Sequence, residues 1–363
     1  MPELDIIGLS KTYGNIRALS DISLHVKDKE YVCIIGPSGC GKSTLIRCIS
    51  GIEQPSFGEI LIDGQSVKKI RIEDRQIGYV FQDIALFPHL TVRDNLGYGL
   101  AVRRTSANEM RTVINEMLDL ISMRDRSNSL PRELSGGAQQ KVAVGRAIAT
   151  GAHLFMLDEP LGALDAIVRA ELRYELRKLA SDLGLTVIHV THDQEEALSI
   201  ADRVVIMKSG RIVEVGNPFE IYRFPKTLFS ANFVGEANLL EGKILMVDGT
   251  LCTVDVAGHP VKVASEGKSI GQRVIVFIRP EFVQLTLPTE DGWPGKVKQV
   301  TFLGSLNRYV IETDGNEIVS EVSTADYSTG FAVGERVSLF LNEANMALFD
   351  YPKEGLEKEI GLE

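Results

Sequence analysis

Nine consecutive residues, Gly36-Pro37-Ser38-Gly39-Cys40-Gly41-Lys42-Ser43-Thr44, constrain the fold around them more than any other feature of the chain. They follow an apolar run, Tyr31-Val32-Cys33-Ile34-Ile35, and lead into Thr44-Leu45-Ile46-Arg47-Cys48-Ile49, which reads as a helix. Glycines let the backbone turn tightly, so that successive N–H groups converge on one anion. The helix that follows adds its positive N-terminus. Lys42 can reach the outer phosphates, and the Ser43 hydroxyl can hold Mg²⁺. A strand, this loop and then a helix is the setting a phosphate cradle requires, and a nucleoside triphosphate is the expected ligand. Cys40, close to the helix N-terminus, is expected to have a lowered thiol pKa.

The rest of the chain supplies strands and helices to surround that loop. Short strands are expected over residues 4–35, with turns near Tyr13-Gly14-Asn15 and Lys27-Asp28-Lys29. Glu59-Ile60-Leu61-Ile62 meets Asp63-Gly64, a hairpin signal. From about Thr91 to Thr150 the apolar spacing turns helical, with Met110, Val113, Ile114, Met117, Leu118 and Ile121 on one face. Leu154-Phe155-Met156-Leu157 is apolar throughout, as a strand covered on both faces should be. A helix over 166–183, a strand at Thr186-Val187-Ile188-His189-Val190 and a hairpin around Ser209-Gly210 follow. Strands alternating with helices about a phosphate loop imply a mostly parallel α/β core.

Beyond Phe233 the texture changes to short strands and turns. Within it, Gly271-Gln272-Arg273-Val274-Ile275-Val276-Phe277-Ile278 is echoed by Gly334-Glu335-Arg336-Val337-Ser338-Leu339-Phe340-Leu341, which suggests two related small β units rather than one sandwich. A chain of 363 residues has room for two domains. Its net charge of −10 argues against gripping nucleic acid through a broad basic face. Lys68-Lys69 and Arg103-Arg104 read as solvated surface. The start of the chain shows no basic-then-apolar signal, and no apolar run approaches the roughly 20 residues of a membrane-spanning helix. Cys33, Cys40, Cys48 and Cys252 have neither disulfide-framework nor zinc spacing. A soluble protein is expected, held by a partner if it works at a membrane.

Asp158 and Glu159 end the apolar strand at 154–157. Asp158 is placed to bind Mg²⁺ directly or through water, and Glu159 to polarise an attacking water. His192 follows a second apolar strand, where it can contact the γ-phosphate or orient the water. Leu134-Ser135-Gly136-Gly137-Ala138 precedes another helix, giving a second N-terminus suited to an anion. One chain has no use for two such ends. Two chains paired head to tail do, because each 134–138 segment could close over nucleotide held by the other chain's 36–44 loop.

Taken in order, the 36–44 loop, Gln82, the 134–137 segment, Asp158-Glu159, Leu164-Asp165 and His192 resemble the ATP-binding cassette ATPases over roughly residues 4–235. The resemblance implies an α/β P-loop NTPase core over 1–235 with a helical subdomain at about 88–152. It implies ATP hydrolysis with Mg²⁺ at two sites shared across a homodimer, with Glu159 and His192 catalytic. Ser43, Gln82 and Asp158 would serve the metal, and Tyr13 would stack on adenine. Ser135, Gly136, Gly137 and Asp165 would serve the nucleotide across the interface. Phe233-Val234-Gly235-Glu236-Ala237-Asn238-Leu239-Leu240 and Ile278-Arg279-Pro280-Glu281 resemble the tail of importer ATPases, so that 236–363 should be a β-rich, oligonucleotide-binding-like (OB-like) regulatory domain.

In that family such a chain powers solute uptake from the cytoplasmic face of the membrane. It is held there by two integral-membrane permease subunits and served by an extracytoplasmic solute-binding protein. Leu86-Phe87-Pro88-His89-Leu90 would line the groove that receives a permease helix, and the wording is closest to importers of polyamines, ferric iron or phosphonates. The alternative within the same cassette is a soluble ATPase acting on nucleic acid or ribosomes, which usually carries two cassettes or coiled-coil insertions. Two positions depart from the family. Ala138 stands where glutamine is usual, and Lys141 where arginine is usual, keeping charge but losing the planar fork.

Overall fold

The computed structural model describes residues 2–162, 164–325 and 330–361. The chain divides into two compact units, one reaching Pro218 and the other spanning Phe219–Gly361.

The first unit is built on a six-stranded sheet in the order Arg211–Gly216, Arg203–Lys208, Tyr31–Ile35, Thr186–Val190, Leu154–Asp158, Ile77–Val80. All neighbours run parallel except the edge hairpin 203–216. Its turn places Ser209 at φ 46° and Gly210 at φ 75°, the left-handed pair a tight hairpin needs. The three central strands are buried at every residue, which only a sheet covered on both faces allows.

A second sheet, Ile16–Val26, Leu4–Tyr13, Phe57–Ile62 and Gln65–Ser66, is antiparallel. Its inward residues Leu4, Leu9, Leu19 and Ile22 share a core with Leu45 and Ile49 of the helix Lys42–Ser50 and with Ile34 and Val190. That helix is therefore packed between layers, with the phosphate loop fixed at its start. The helical stretch resolves into Val92–Val102, Ala107–Leu120 and Gly136–Ala149, capped by the side chains of Thr91, Ser106 and Ser135. These helices enclose a small core of their own, including Leu96, Ile114, Leu118 and Val142.

The second unit holds two five-stranded antiparallel sheets. The echoed octets supply a strand to each: Arg273–Ile278 lies between Asn238–Asp248 and Met346–Asp350, and Arg336–Leu341 between Val283–Thr286 and Trp293–Phe302. The two sheets bury one continuous core, where Val276 and Ile278 meet Ile311 and Leu339. Separate cores, as two small units would have, are not formed.

The helix Leu228–Phe233 goes with this unit, so packing divides the chain after Pro218 while the expected boundary lies after 235. Arg279 supplies the physical reason. Fully buried, it donates hydrogen bonds to the carbonyls of Tyr222, Ala231, Gly235 and Glu236 at 2.9–3.0 Å, binding the helical stretch to the β strands. Burial pushes its pKa down to about 10, which leaves it charged at neutral pH. Among the described residues no helix is long and apolar enough to cross a membrane.

Candidate functional site: a phosphate loop and a carboxylate cluster

Steric contacts explain the glycines of the loop. A Cβ on Gly36 would sit 2.3 Å from the Met207 carbonyl oxygen and 2.7 Å from the Cys40 sulfur. At Gly41, with φ +104°, it would meet the Ala18 carbonyl oxygen at 2.6 Å. The helix Lys42–Ser50 then starts with no side-chain cap and no acid in its first turn, so its leading N–H groups are left for an anion. Lys42 is buried, and its ammonium donates to the carbonyls of Gly36 (2.7 Å) and Pro37 (2.9 Å) across the cradle. The chemistry of the cradle fits a polyphosphate.

Behind the loop, Ser43 donates to Asp158 (3.0 Å), and the Tyr79 hydroxyl donates to the other oxygen of the same carboxylate (3.1 Å). Asp158 is buried at the end of its strand. Burial, with the Asp158 charge beside it, pushes the Tyr79 phenol well above its usual range, so it stays a donor. A hydroxyl and a carboxylate side by side are the oxygen donors that Mg²⁺ prefers.

One residue further, the chain turns. Glu159 has φ 47°, a strained conformation for a side chain of its size, and is held there by its N–H donating to the Val190 carbonyl (2.8 Å). Its carboxylate receives the Gln82 amide at 3.1 Å and lies 3.2 Å from the His192 ring nitrogen Nδ1. The strained turn brings the Glu159 carboxylate to Gln82 and His192.

Sequence reasoning did not find what holds His192. Thr191 donates to Glu196 (2.6 Å) and receives the Asp193 N–H (3.0 Å), while Asp193 caps the helix Gln194–Ile200. Arg169 reaches Asp193 at 3.3 Å and also donates to the Leu164 carbonyl, tying the histidine turn to the segment before Asp165. Burial works against charge on Glu196, but His189, Thr191 and Arg173 around it hold its carboxyl below the usual range.

The remaining residues form separate groups. Ser135 caps the helix Gly136–Ala149, accepting from the Ala138 N–H. A Cβ on Gly136 would come within 3.2 Å of Leu164, and one on Gly137 within 2.7 Å of Val168. The two glycines thus let this helix end approach the one that Asp165 begins. Asp165 itself spends one oxygen capping that helix through the Val168 N–H (3.1 Å). Tyr13 is exposed at the end of its strand, with the Lys11 ammonium 4.7 Å from its ring centre.

Residues 19–162 match the ABC transporter family, and residues 276–349 match the TOBE domain. The chain is 38% identical over 325 residues to the spermidine/putrescine import ATP-binding protein PotA of Thermotoga maritima, covering 87% of this chain and 88% of that protein. It is 40% identical over 358 residues to the sulfate/thiosulfate import ATP-binding protein CysA 1 of Chromobacterium violaceum, covering 96% and 98%. The first unit is also similar to a dimeric ATP-binding cassette solved in a post-hydrolysis state with ADP and Pi, at 33% identity and a TM-score of 0.54, covering 59% of this chain and 98% of that one. The chain belongs to the ATP-binding subunits of ABC importers. It is an ATPase with a TOBE domain.

For an ABC importer ATPase, one expectation changes in the light of the structure. Cys40 is 5% exposed, and its burial pushes the thiol pKa up, outweighing the nearby Lys42 charge and correcting the expectation of an activated cysteine. Beside Ala138, Gln139 is engaged within its own chain. Its amide is turned back to the carbonyls of Pro131 (2.9 Å) and Leu134 (3.3 Å). Lys141 keeps its charge in use by pairing with Glu175 at 2.8 Å. The 86–91 segment is anchored from beneath by buried Asn95, which bonds Phe87 through both its N–H and its carbonyl and also reaches the carbonyls of Leu90 and Thr91.

Proposed function

We propose that two copies of this chain clamp ATP between them and that the opening and closing of the clamp drives a pair of membrane permeases. Each nucleotide would rest on one copy's 36–44 loop and be closed by Ser135, Gly136 and Gly137 of the other, with Asp165 at the crossing and Tyr13 against adenine. Ser43, Asp158 and Gln82 would hold Mg²⁺, whose charge helps neutralise the phosphate oxygens when it is bound. Glu159 orients a water for in-line attack, and His192, hydrogen-bonded to that carboxylate, steadies it. The observation that carries this reading is the convergence of Gln82 and His192 on Glu159, next to the carboxylate shared by Ser43 and Tyr79.

The chain works at the cytoplasmic face of the membrane, held by two permease subunits through the segment around Leu86-Phe87-Pro88-His89-Leu90 and served by an extracytoplasmic solute-binding protein. Relatives named for a polyamine and for sulfate, solutes of opposite charge, match at nearly equal identity. Solute choice therefore lies with the partners, and this chain supplies the work. The test is Glu159→Gln. Replacing a positioned general base should lower ATP turnover by about 10²–10⁴-fold, while ATP still binds and holds the two copies together. Turnover at the parental rate would remove Glu159 from the mechanism.

A further inference from the structure

Tyr13 ends the strand Leu4–Tyr13, is 42% exposed, and pairs across the hairpin with Ile16, also exposed. Two residues on from Ile16, the Ala18 carbonyl oxygen abuts Gly41, 2.6 Å from where a Cβ there would sit. A strand advances about 3.3 Å per residue, so the Tyr13–Ile16 pair stands roughly 7 Å along the strand from that contact with the phosphate loop. The exposed ring therefore belongs to the surroundings of the cradle.

Lys11 holds that ring. Its ammonium lies over the ring at 4.7 Å from the centre, within the range of a cation–π contact. A surface lysine is ordinarily flexible, but this one is clamped. Its ammonium pairs with Glu53 at 3.0 Å and donates to the Gln54 carbonyl at 2.7 Å, and the side chain is only 13% exposed. The hydrogen bond to Glu53 raises its pKa, so it stays a cation at neutral pH. The Glu53 N–H in turn donates to the Arg47 carbonyl at 3.0 Å, fastening this segment to the helix Lys42–Ser50. Ser56 ties the same segment to the strand, donating its N–H to the Ser10 carbonyl (2.8 Å) and accepting from the Thr12 N–H (3.1 Å). One helix thus carries the phosphate cradle at its start and, just past its end, the clamp on the cation over Tyr13.

We propose that Lys11 is a positioning residue for the nucleotide, holding the Tyr13 ring from one face so that adenine stacks on the other. The proposal rests on the reading of Tyr13 as the adenine partner and adds what makes the ring a fixed platform. A free side chain at a strand end must give up its rotation when a base lands on it. A cation already seated on one face removes part of that cost beforehand. It also offsets the negative charge of the ring face, which lessens repulsion against the π face of the base. The ammonium is committed to Glu53, Gln54 and the ring, so its effect falls on binding of the base and not on the phosphates or the chemical step.

The test compares Lys11→Met, Lys11→Arg, Tyr13→Ala and the Lys11→Met, Tyr13→Ala double variant in the full chain. Affinities for ATP and for inorganic tripolyphosphate, which has the phosphates but no base, are measured by calorimetry without Mg²⁺, and kcat and KM for ATP with it. Tyr13→Ala should weaken ATP at least about five-fold, the loss of one stacked base, and spare tripolyphosphate. Lys11→Met should weaken ATP about two- to five-fold, as expected for an exposed cation–π contact, and raise KM by the same factor while kcat and tripolyphosphate affinity hold. Lys11→Arg keeps a cation and should keep parental ATP affinity. In the double variant, Lys11→Met should add nothing to Tyr13→Ala. If Tyr13→Ala spares ATP, the adenine reading fails and the proposal falls with it. If Tyr13→Ala weakens ATP and Lys11→Met does not, the adenine reading stands and the proposal is overturned. Weaker tripolyphosphate binding in Lys11→Met, no rescue by Lys11→Arg, or a full Lys11→Met effect without the Tyr13 ring would each overturn it as well.

Discussion

Both units bury polar side chains, but they use them differently. In the first, Lys42, Arg75 and Asn95 serve backbone carbonyls, but Asp158 also accepts from Ser43 and Glu196 from Thr191, so that side-chain polar atoms are paired with one another. In the second, buried polar groups are consumed by the backbone. Arg279 is used up on carbonyls, Asn238 bonds both the N–H and the carbonyl of Val319, and Ser320 donates to the Val283 carbonyl. Burial of a polar group is unfavourable in either place unless it is paired. Side-chain-to-side-chain pairs build the carboxylate cluster of the first unit.

The largest test of that contrast is Arg279→Met. Removing a buried charge from its carbonyls is expected to destabilise the second unit by about 3–5 kcal/mol, read as loss of its unfolding transition in denaturant. ATP binding by the first unit should persist. Loss of ATP affinity in proportion to the loss of stability would show that the two units do not divide the work in this way.

Smaller effects probe the first unit. Tyr79→Phe removes one donor from the charged Asp158 and should cost about 1.5–3 kcal/mol of stability, with a larger fractional effect on Mg²⁺-dependent turnover than on nucleotide binding. Equal effects on both would make Tyr79 a packing residue only. Ala138→Gln, restoring the family's usual side chain, should strengthen closure of the two copies around ATP by about 0.5–1.5 kcal/mol, seen as a lower ATP concentration for dimer formation. No change would mean that position 138 contributes nothing to closure.

Cys40 gives the smallest signal, and its sign follows from its environment. Its pKa in the folded chain lies above the ordinary thiol value. The thiolate is therefore scarce at neutral pH, and alkylation should be slow there, rising only as pH passes above the usual thiol range. Rapid labelling at pH 7 would contradict the burial argument.

What could be read in advance follows from how local each signal is. The phosphate loop, the Ser209-Gly210 hairpin and the strand ending at Asp158-Glu159 are written in contiguous residues, where glycine conformations and apolar runs speak for themselves. Tyr79 could not be seen to hold Asp158, because the contact exists only once Ile77–Val80 is placed beside Leu154–Asp158 in the sheet. The brace of Arg169, Thr191 and Glu196 around His192 likewise joins a helix, a strand end and a second helix. Arg279 stood out within its Ile-Arg-Pro-Glu segment, but the carbonyls it serves lie more than 40 residues earlier in the chain. Cys40 was misjudged for the same reason. Its position beside a helix start is local, while the contacts that bury it are not.

The central claim is that each reaction centre is assembled from two chains, and subunit mixing tests it most directly. Lys42→Ala damages the phosphate loop and Ser135→Arg the opposed segment, so each variant alone should be nearly inactive. Mixed, they form pairs in which one centre combines the intact loop of one chain with the intact 135–137 segment of the other, and ATP hydrolysis should reappear. A mixture no more active than the two variants measured separately would contradict the account.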